Sequence, residues 1–209
     1  MSQNIIVFDV ETTGLDEEKS PITQIALLSL NEETLVENNR FETHIQPYAD
    51  LKLDEKVLNK TSVKLVDVLN GMEATEFCDV AIKILETNKT GKGRLPILCG
   101  FNVNFDIKFL KYLFDYCGED LFQYVDYLST IDVLRYARWY WKQTEENHKL
   151  KTCCQRLGIE LVDAHGAMAD VIATTELLKF FITQFSESGM VSTDLKINNV
   201  KKTRQFYRF

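Results

Sequence analysis

Two acidic residues inside the first apolar segment limit how this chain can fold. Residues 5–10 are rich in β-branched side chains and predict a buried central strand. Asp9 and Glu11 are two residues apart, so a strand places both carboxylates on one face of its sheet. Like charges on a buried face are costly unless a cation lies between them. The pattern therefore predicts a cation site; a solvent-facing edge strand is the alternative, which the apolar residues before Asp9 disfavour.

Three more ionisable residues stand in short motifs far along the chain: Asp106, His165 and Asp170. Carboxylates supply the oxygen ligands that hard cations such as Mg²⁺ and Mn²⁺ prefer. A histidine beside such ions can take a proton from attacking water, because its ordinary pKa lies near neutrality. Together with Asp9 and Glu11, these residues predict a two-metal site that cleaves phosphodiester bonds.

Each of the later residues also has an ordinary structural interpretation. Asp106 stands at the start of a predicted helix, where an acid complements the helix dipole. Asn102 or Asn104 could cap the same helix. A single histidine such as His165 is more often a surface residue. The prediction of a site therefore depends on the residues as a set.

The turn after the first strand offers groups that a nucleotide needs. Thr12 and Thr13 have hydroxyls and backbone N–H groups for a sugar or a phosphate, and Leu15 ends the turn. Gly14 permits unusual backbone angles and the close approach of a ligand. A simple strand-ending turn is the alternative.

The composition is that of an ordinary globular protein, with 45% hydrophobic and 26% charged residues among 209, enough for one substantial domain. The net charge of −7 counts against extensive wrapping of nucleic acid but not against a small footprint. Five cysteines without a C-x-x-C pair predict reduced, mostly buried thiols. The sequence has no signal-peptide or membrane-spanning pattern, which predicts a cytoplasmic protein without a membrane partner.

Hydrophobic periodicity predicts an α/β fold with one mixed sheet whose first three strands are antiparallel. We predict strands at 5–10, 22–30, 40–46 and 95–99, an extended segment at 124–128, and helices at 54–69 (as two short helices), 75–87, 104–117, 130–141, 150–157 and 166–185. Residues 1–185 form the predicted main domain. Residues 186–209 are polar and basic near their end, and we interpret them as an extension or tail.

The motifs resemble those of DEDDh-type 3′–5′ exonucleases, the superfamily of the proofreading epsilon subunit of bacterial replicative polymerases. The similar segments are residues 8–15, 102–106 and 165–170 for the three exonuclease motifs and 131–138 for a secondary segment. The resemblance covers residues 4–185. Residues 58–61 match the family pattern poorly, and Gln24 stands where many members carry a glutamate.

This resemblance implies an RNase H-like sheet flanked by helices and two Mg²⁺ or Mn²⁺ ions. Asp9, Glu11 and Asp170 would hold metal directly, Asp106 directly or through water, and His165 would be the general base. The implied substrate contacts are Thr12, Thr13, Gly14, Leu15, Asn102 and Phe105. Phe105 is equally compatible with a place in the core.

The resulting hypothesis is an exonuclease that removes mononucleotides from DNA 3′ ends in proofreading or repair, with a DNA polymerase subunit as a possible partner. A ribonuclease that trims RNA 3′ ends is the first alternative, and a non-catalytic module that binds nucleic acid or a polymerase is the second. Arg135, Arg138 and Lys142 lie beside aromatic residues and predict either a groove for single strands or an ordinary solvated helix face. The tail would either dock a partner or be flexible.

Overall fold

A computed structural model of the chain describes residues 4–59, 61–90, 92–144, 146–161 and 166–188. These residues contain one five-stranded sheet in the order β3-β2-β1-β4-β5. The strands are β1 (Asn4–Thr12), β2 (Ile22–Asn31), β3 (Glu37–His44), β4 (Ile97–Gly100) and β5 (Ile131–Asp132). β1 pairs antiparallel with β2, and β2 pairs antiparallel with β3, whereas β4 and β5 run parallel to β1. The predicted mixed sheet with an antiparallel beginning is confirmed.

Helices cover both faces of this sheet. They are α1 (Glu55–Leu58), α2 (Leu65–Leu69), α3 (Ala74–Thr87), α4 (Asn104–Tyr116), α5 (Val133–Tyr140), α6 (Leu150–Leu157) and α7 (Ala167–Glu187). α7 continues two residues past the predicted end of the main domain. Residues 189–209, most of the predicted tail, lie outside the described residues. Among the described helices, none is long and apolar enough to cross a bilayer.

β3 was predicted at 40–46 and runs from Glu37 to His44, and two further predicted elements differ from the structure. The segment 124–128 is not extended, because 3₁₀ helices form at Leu121–Gln123 and Tyr127–Ser129. The Asp120 carboxylate accepts the N–H of Phe122 at 3.1 Å and starts the first of these turns. The helix predicted at 130–141 begins only at Val133, because residues before it form β5 beside β4.

The alternation along β1 divides the core into two layers. Ile6, Phe8 and Val10 pack with the cluster that contains residues of α3 and α4. Ile5 and Val7 pack on the other face, with residues of α5, α6 and α7. All five cysteines are free thiols and four are buried, as predicted. β1 is therefore covered on both faces, and polar groups near its end are enclosed by helices.

Candidate active site

Asp9 and Glu11 lie near the end of β1, at the centre of the sheet. Asp9 is opposite Ala26 and Glu11 is opposite Gln24 on β2. Both acids share the alternating face of Ile5 and Val7, which is the face that α7 covers. Both are partly buried, so β1 presents two carboxylates in the space between the sheet and α7.

Asp106 reaches the same end of β1 from the opposite layer. It stands in the first turn of α4 and is only 3% exposed. Its Oδ1 accepts the backbone N–H of Val10 at 3.3 Å. The pairing of β1 with β4 ends at Val7, so the Val10 N–H lies beyond the paired part of β4. The Asp106 carboxylate accepts this N–H in place of a backbone carbonyl of a neighbouring strand. The bond fixes Asp106 beside Asp9.

Asp170 comes to the site from the other end of the chain. It lies in the first turn of α7, and its backbone N–H donates to the Gly166 carbonyl at 3.2 Å. Its negative charge acts on both Asp9 and Glu11. The fold therefore brings together four acidic side chains from three distant segments.

Burial and mutual repulsion raise the pKa values of three of these acids. Burial, followed by the charges of Asp106, Asp170 and Glu11, raises the pKa of Asp9 well above its usual range. Burial and then Asp170 raise the pKa of Glu11 to about 7. Burial raises the pKa of Asp106 to about 8, against the lowering effect of its backbone hydrogen bonds. A positive charge between the carboxylates would favour their ionised forms.

The chemistry of this cluster fits hard divalent cations, since all four side chains offer carboxylate oxygens. Within the described part of the chain, however, no three His, Cys, Asp or Glu side chains are arranged as a ready metal-binding group. The carboxylates thus lie close enough to repel one another, but they are not arranged to coordinate one ion together. His165 lies outside the described residues, so its role as general base stays a prediction.

The turn after β1 differs in one respect from the prediction. Thr12 donates its hydroxyl to the Gly14 carbonyl at 2.7 Å. Gly14 is not among the residues with positive φ, so unusual backbone angles do not explain it. A side chain at Gly14 would instead collide with the Ser20 hydroxyl. The glycine thus fits the close packing of this turn, and a larger residue would require the Ser20 side chain to move.

Two other side chains of the turn are placed very differently. Thr13 is only 3% exposed, and its Oγ1 has no hydrogen-bond partner in the described part of the chain. Leu15 is 86% exposed. A buried hydroxyl without a partner is uncommon because its desolvation is not offset. Leu15 thus offers an apolar contact to a ligand at this turn, whereas the Thr13 hydroxyl is enclosed by the protein.

Asn102 and Phe105 lie between β4 and α4. Asn102 is exposed and adopts a left-handed conformation with φ of 69°. The predicted capping of α4 by Asn102 or Asn104 is wrong, because the cap position is Val103 and no side-chain cap bond forms. Phe105 is half-buried, with its ring centroid 4.9 Å from that of Phe109. Its ring therefore contacts the core and keeps one exposed side.

Three polar residues that were not predicted as site residues organise the site, although Gln24 was noted as a departure from the family pattern. Asp132 accepts the N–H groups of Asn102 and Leu134 at 3.0 and 3.1 Å, and so joins the loop after β4 to the start of α5. Gln24 and Glu42 contact the start of α7. The available signal was weak: Gln24 is a large polar residue within a mostly apolar strand.

The predicted basic groove on α5 has no decisive support. Arg135 is 71% exposed and lies 3.4 Å from Asp132. Trp139 is 48% exposed, and its ring packs edge-on against Phe185 of α7. These contacts suit both an ordinary solvated helix and a nucleic-acid surface, so the groove stays a prediction.

Comparison with known proteins identifies the family. The RNase_T exonuclease family model matches residues 6–178. A PolC-type DNA polymerase III from Oceanobacillus iheyensis is 32% identical over 200 residues, which cover 93% of this chain and 12% of that protein. The corresponding protein of Bacillus subtilis is 26% identical over 210 residues, which cover 99% of this chain and 13% of that protein. The chain thus spans only about one eighth of the length of these relatives.

Solved structures share the fold. E. coli exonuclease I in complex with a dT13 oligonucleotide has a TM-score of 0.73 at 19% identity, with 90% of this chain and 43% of that chain covered. The zinc-bound form of the exonuclease I–ssDNA complex gives 0.74 at 20% identity, with 88% and 42% covered. The predicted RNase H-like architecture is confirmed. Because the family model covers most of its length, the chain belongs to the RNase_T exonuclease family, in agreement with its resemblance to 3′–5′ exonucleases.

Proposed function

We propose that this chain is a metal-dependent 3′–5′ exonuclease that removes mononucleotides from DNA ends. The observation that carries the proposal is the meeting of four acidic side chains at the end of β1: Asp9 and Glu11 of the strand, Asp106 of α4, which accepts the Val10 N–H, and Asp170 in the first turn of α7. Buried carboxylates that repel one another are typical of functional sites. Membership of an exonuclease family supports an exonuclease function for this cluster.

In the proposal, Asp9, Glu11 and Asp170 hold two Mg²⁺ or Mn²⁺ ions, and Asp106 holds metal directly or through water. Two such ions activate water, neutralise the phosphate and stabilise the leaving 3′ oxygen. Asp106 also keeps the end of β1 in place through its bond to Val10. The proposed base is His165, two residues before the first residue of α7.

The substrate contacts of the proposal follow from the exposure of the side chains and from the hydrogen bonds that they make or lack. The Thr13 hydroxyl would gain a partner from a sugar or phosphate oxygen, since it has none among the described residues. Leu15 and Phe105 offer apolar surface to the terminal bases. Asn102, exposed on its left-handed turn, offers an amide. Thr12 is the weakest of the contacts, because its hydroxyl already donates to Gly14.

DNA is the favoured substrate because the similar proteins are a DNA polymerase and a nuclease bound to DNA. The relatives are described as PolC-type DNA polymerase III, and the exonuclease I structures contain single-stranded DNA. We therefore propose single-stranded DNA 3′ ends as the substrate and a DNA polymerase as the partner. Both assignments go beyond family membership, because they come from relatives that are much longer than this chain.

The test uses 5′-labelled single-stranded DNA and RNA of equal sequence, each incubated with Mg²⁺ or with EDTA. We expect a ladder that shortens from the 3′ end of DNA with Mg²⁺ and no cleavage with EDTA. Asp170→Asn should slow cleavage by roughly three orders of magnitude, because the asparagine cannot supply the charge that holds the metal. Asp79→Asn, at an exposed acid of α3, is the matched control and should retain full activity.

Each other outcome favours an alternative. Faster shortening of RNA would make the protein an exoribonuclease with the same site. Cleavage by Asp170→Asn at the wild-type rate would contradict the ligand assignment. Specific binding of 3′ ends without any cleavage would support the non-catalytic module.

A further inference from the structure

α7 cannot satisfy its own N-terminus. The first N–H groups of a helix lack acceptors within the helix, and a side chain at the cap position usually supplies one. The cap residue of α7 is Gly166, which has no side chain, and no side-chain cap bond forms there. The first turn of α7 also contains Asp170. Whatever satisfies these N–H groups therefore acts on the position of a proposed metal ligand.

Two strand residues provide the missing acceptors. Gln24 Oε1 accepts the N–H of Ala167 at 3.2 Å, and Glu42 Oε1 accepts the N–H of Met168 at 3.2 Å. Gln24 Nε2 donates to the same Glu42 oxygen at 3.1 Å. We call this linked pair, Gln24 on β2 and Glu42 on β3, the strand clamp. It joins the sheet to α7 across 143 and 126 positions of sequence.

The clamp lies beside the carboxylate cluster. Gln24 is only 8% exposed and stands directly opposite Glu11 in the pairing of β1 with β2. Gln24 therefore connects two parts of the site: its strand pairs with the strand that carries Glu11, and its side chain bonds the helix turn that carries Asp170. A shift of this turn would change the separation of two proposed ligands of the same metal.

The charges of the two residues suit their places. A carboxylate at a helix N-terminus is favourable, and Glu42 provides it from the more exposed strand. A carboxylate at position 24 would instead add a negative charge opposite Glu11, on a face that already holds Asp9. The neutral amide of Gln24 caps the helix without that repulsion.

We propose that Gln24 and Glu42 are positioning residues that set the place of Asp170 relative to Glu11. The inference rests on the proposed function, because Asp170 is taken to hold metal. A role in general stability would affect folding alone. A positioning role also changes metal affinity and turnover in protein that is fully folded.

The direct readout is amide hydrogen exchange, followed by NMR at Ala167 and Met168. N–H groups at the first two positions of a helix normally exchange fast, because they have no partner within the helix. We expect protection of both amides in the wild type, loss of it at Ala167 in Gln24→Leu, and loss of it at Met168 in Glu42→Ala. Glu42→Gln keeps an acceptor oxygen, so the Met168 amide should remain protected in this variant. Asn38→Ala, at an exposed position of β3, is the control.

The functional readout separates turnover from binding. We expect Gln24→Leu to lower kcat roughly tenfold or more and to raise the half-saturating Mg²⁺ concentration, since small displacements of catalytic groups are costly. KM for the oligonucleotide should change little. Glu42→Ala should have a smaller effect, and Glu42→Gln should restore values near those of the wild type. All assays are made well below the unfolding temperature of each variant.

The outcomes distinguish the positioning role of the strand clamp from the proposed exonuclease function. Wild-type kcat and Mg²⁺ dependence in Gln24→Leu would overturn the positioning role, as would fast exchange of both amides in the wild type. If Gln24→Leu does not fold, Glu42→Ala and Glu42→Gln decide by the same criteria, because Glu42 is exposed. A wild type that protects both amides but never cleaves DNA would overturn the proposed function and the assigned role of Asp170 together, while the clamp itself would stand as a helix cap.

Discussion

At the scale of single residues, the carboxylate cluster links metal binding to folding. Glu11 and Asp106 have raised pKa values in the folded chain, chiefly because burial disfavours their charged forms. In the unfolded chain both acids ionise near pH 4 to 5, as ordinary carboxyls do. Between these values the unfolded state binds fewer protons than the folded state, so stability falls as pH rises.

We therefore predict that the metal-free protein loses stability between about pH 5 and about pH 8. Glu11, whose pKa rises from 4.5 to about 7, contributes on the order of 3 kcal/mol to this loss. Glu11→Gln stays neutral and should show a shallower dependence. Urea unfolding in EDTA measures both proteins, and added Mg²⁺ should reduce the loss more in the wild type than in Glu11→Gln. Equal pH dependence in the two proteins would contradict the burial of an ionisable Glu11.

The Thr13 hydroxyl allows binding to be separated from stability. Thr13→Val removes a buried polar atom that has no partner in the described part of the chain. We predict an unchanged or higher free energy of unfolding, by up to about 1 kcal/mol, because no hydrogen bond within the fold is lost. KM for single-stranded DNA should rise several-fold if this hydroxyl bonds the substrate. A clear loss of stability with unchanged KM would show that the hydroxyl serves the fold instead.

At the scale of elements, Asp132 joins the end of β5, the turn after β4 and the start of α5. Its carboxylate accepts two backbone N–H groups and is only 10% exposed. We predict that Asp132→Ala lowers the free energy of unfolding by about 1–2 kcal/mol, through the lost cap and the unpaired N–H of Asn102. Asp132→Asn keeps an acceptor oxygen and should lose less. Urea unfolding at constant pH is the measurement, and equal losses in both variants would exclude the hydrogen bonds as the cause.

Elements with regular patterns were predictable from sequence, and those set by distant pairing were not. The stripe of α3 indicated a helix because its apolar residues recur with the helical period. The apolar runs of β1 and β2 indicated strands because short continuous runs are typical of strands buried on both faces. β5 has only two residues and exists because it pairs with β4. Its two residues have no period of their own, and they were assigned to the following helix.

The candidate site was partly predictable for the same reason. Asp9 and Glu11 share a face because side chains of a strand alternate with a period of two, and this period can be seen in a few consecutive residues. That Asp106 and Asp170 join them follows only from the fold, and the sequence indicated it through family resemblance. The strand clamp was missed because Gln24 and Ala167 are 143 residues apart, and no local pattern joins them.

At the scale of the whole molecule, the net charge of −7 limits how the chain holds nucleic acid. Extended contact with phosphates would need a broad basic surface, whereas a metal site needs only the terminal nucleotides. We predict that KM falls with oligonucleotide length only over the first few nucleotides. The salt dependence of binding should be shallow, with a slope of roughly −1 to −3 on logarithmic axes, equivalent to a few phosphates at about −0.7 each. A steep slope, or affinity that keeps rising with length, would indicate the basic groove on α5.

The most direct test of the central claim counts the metal ions that the carboxylate cluster holds. Mn²⁺ is titrated into the protein with a single-stranded DNA whose 3′-terminal linkage resists hydrolysis, and the free ion is measured by electron paramagnetic resonance. We predict two bound ions in the wild type and in Asp79→Asn, and at least one fewer in Asp9→Asn, with all three proteins folded by circular dichroism. Two equally tight ions in Asp9→Asn, or none in the wild type, would contradict a metal site at the end of β1.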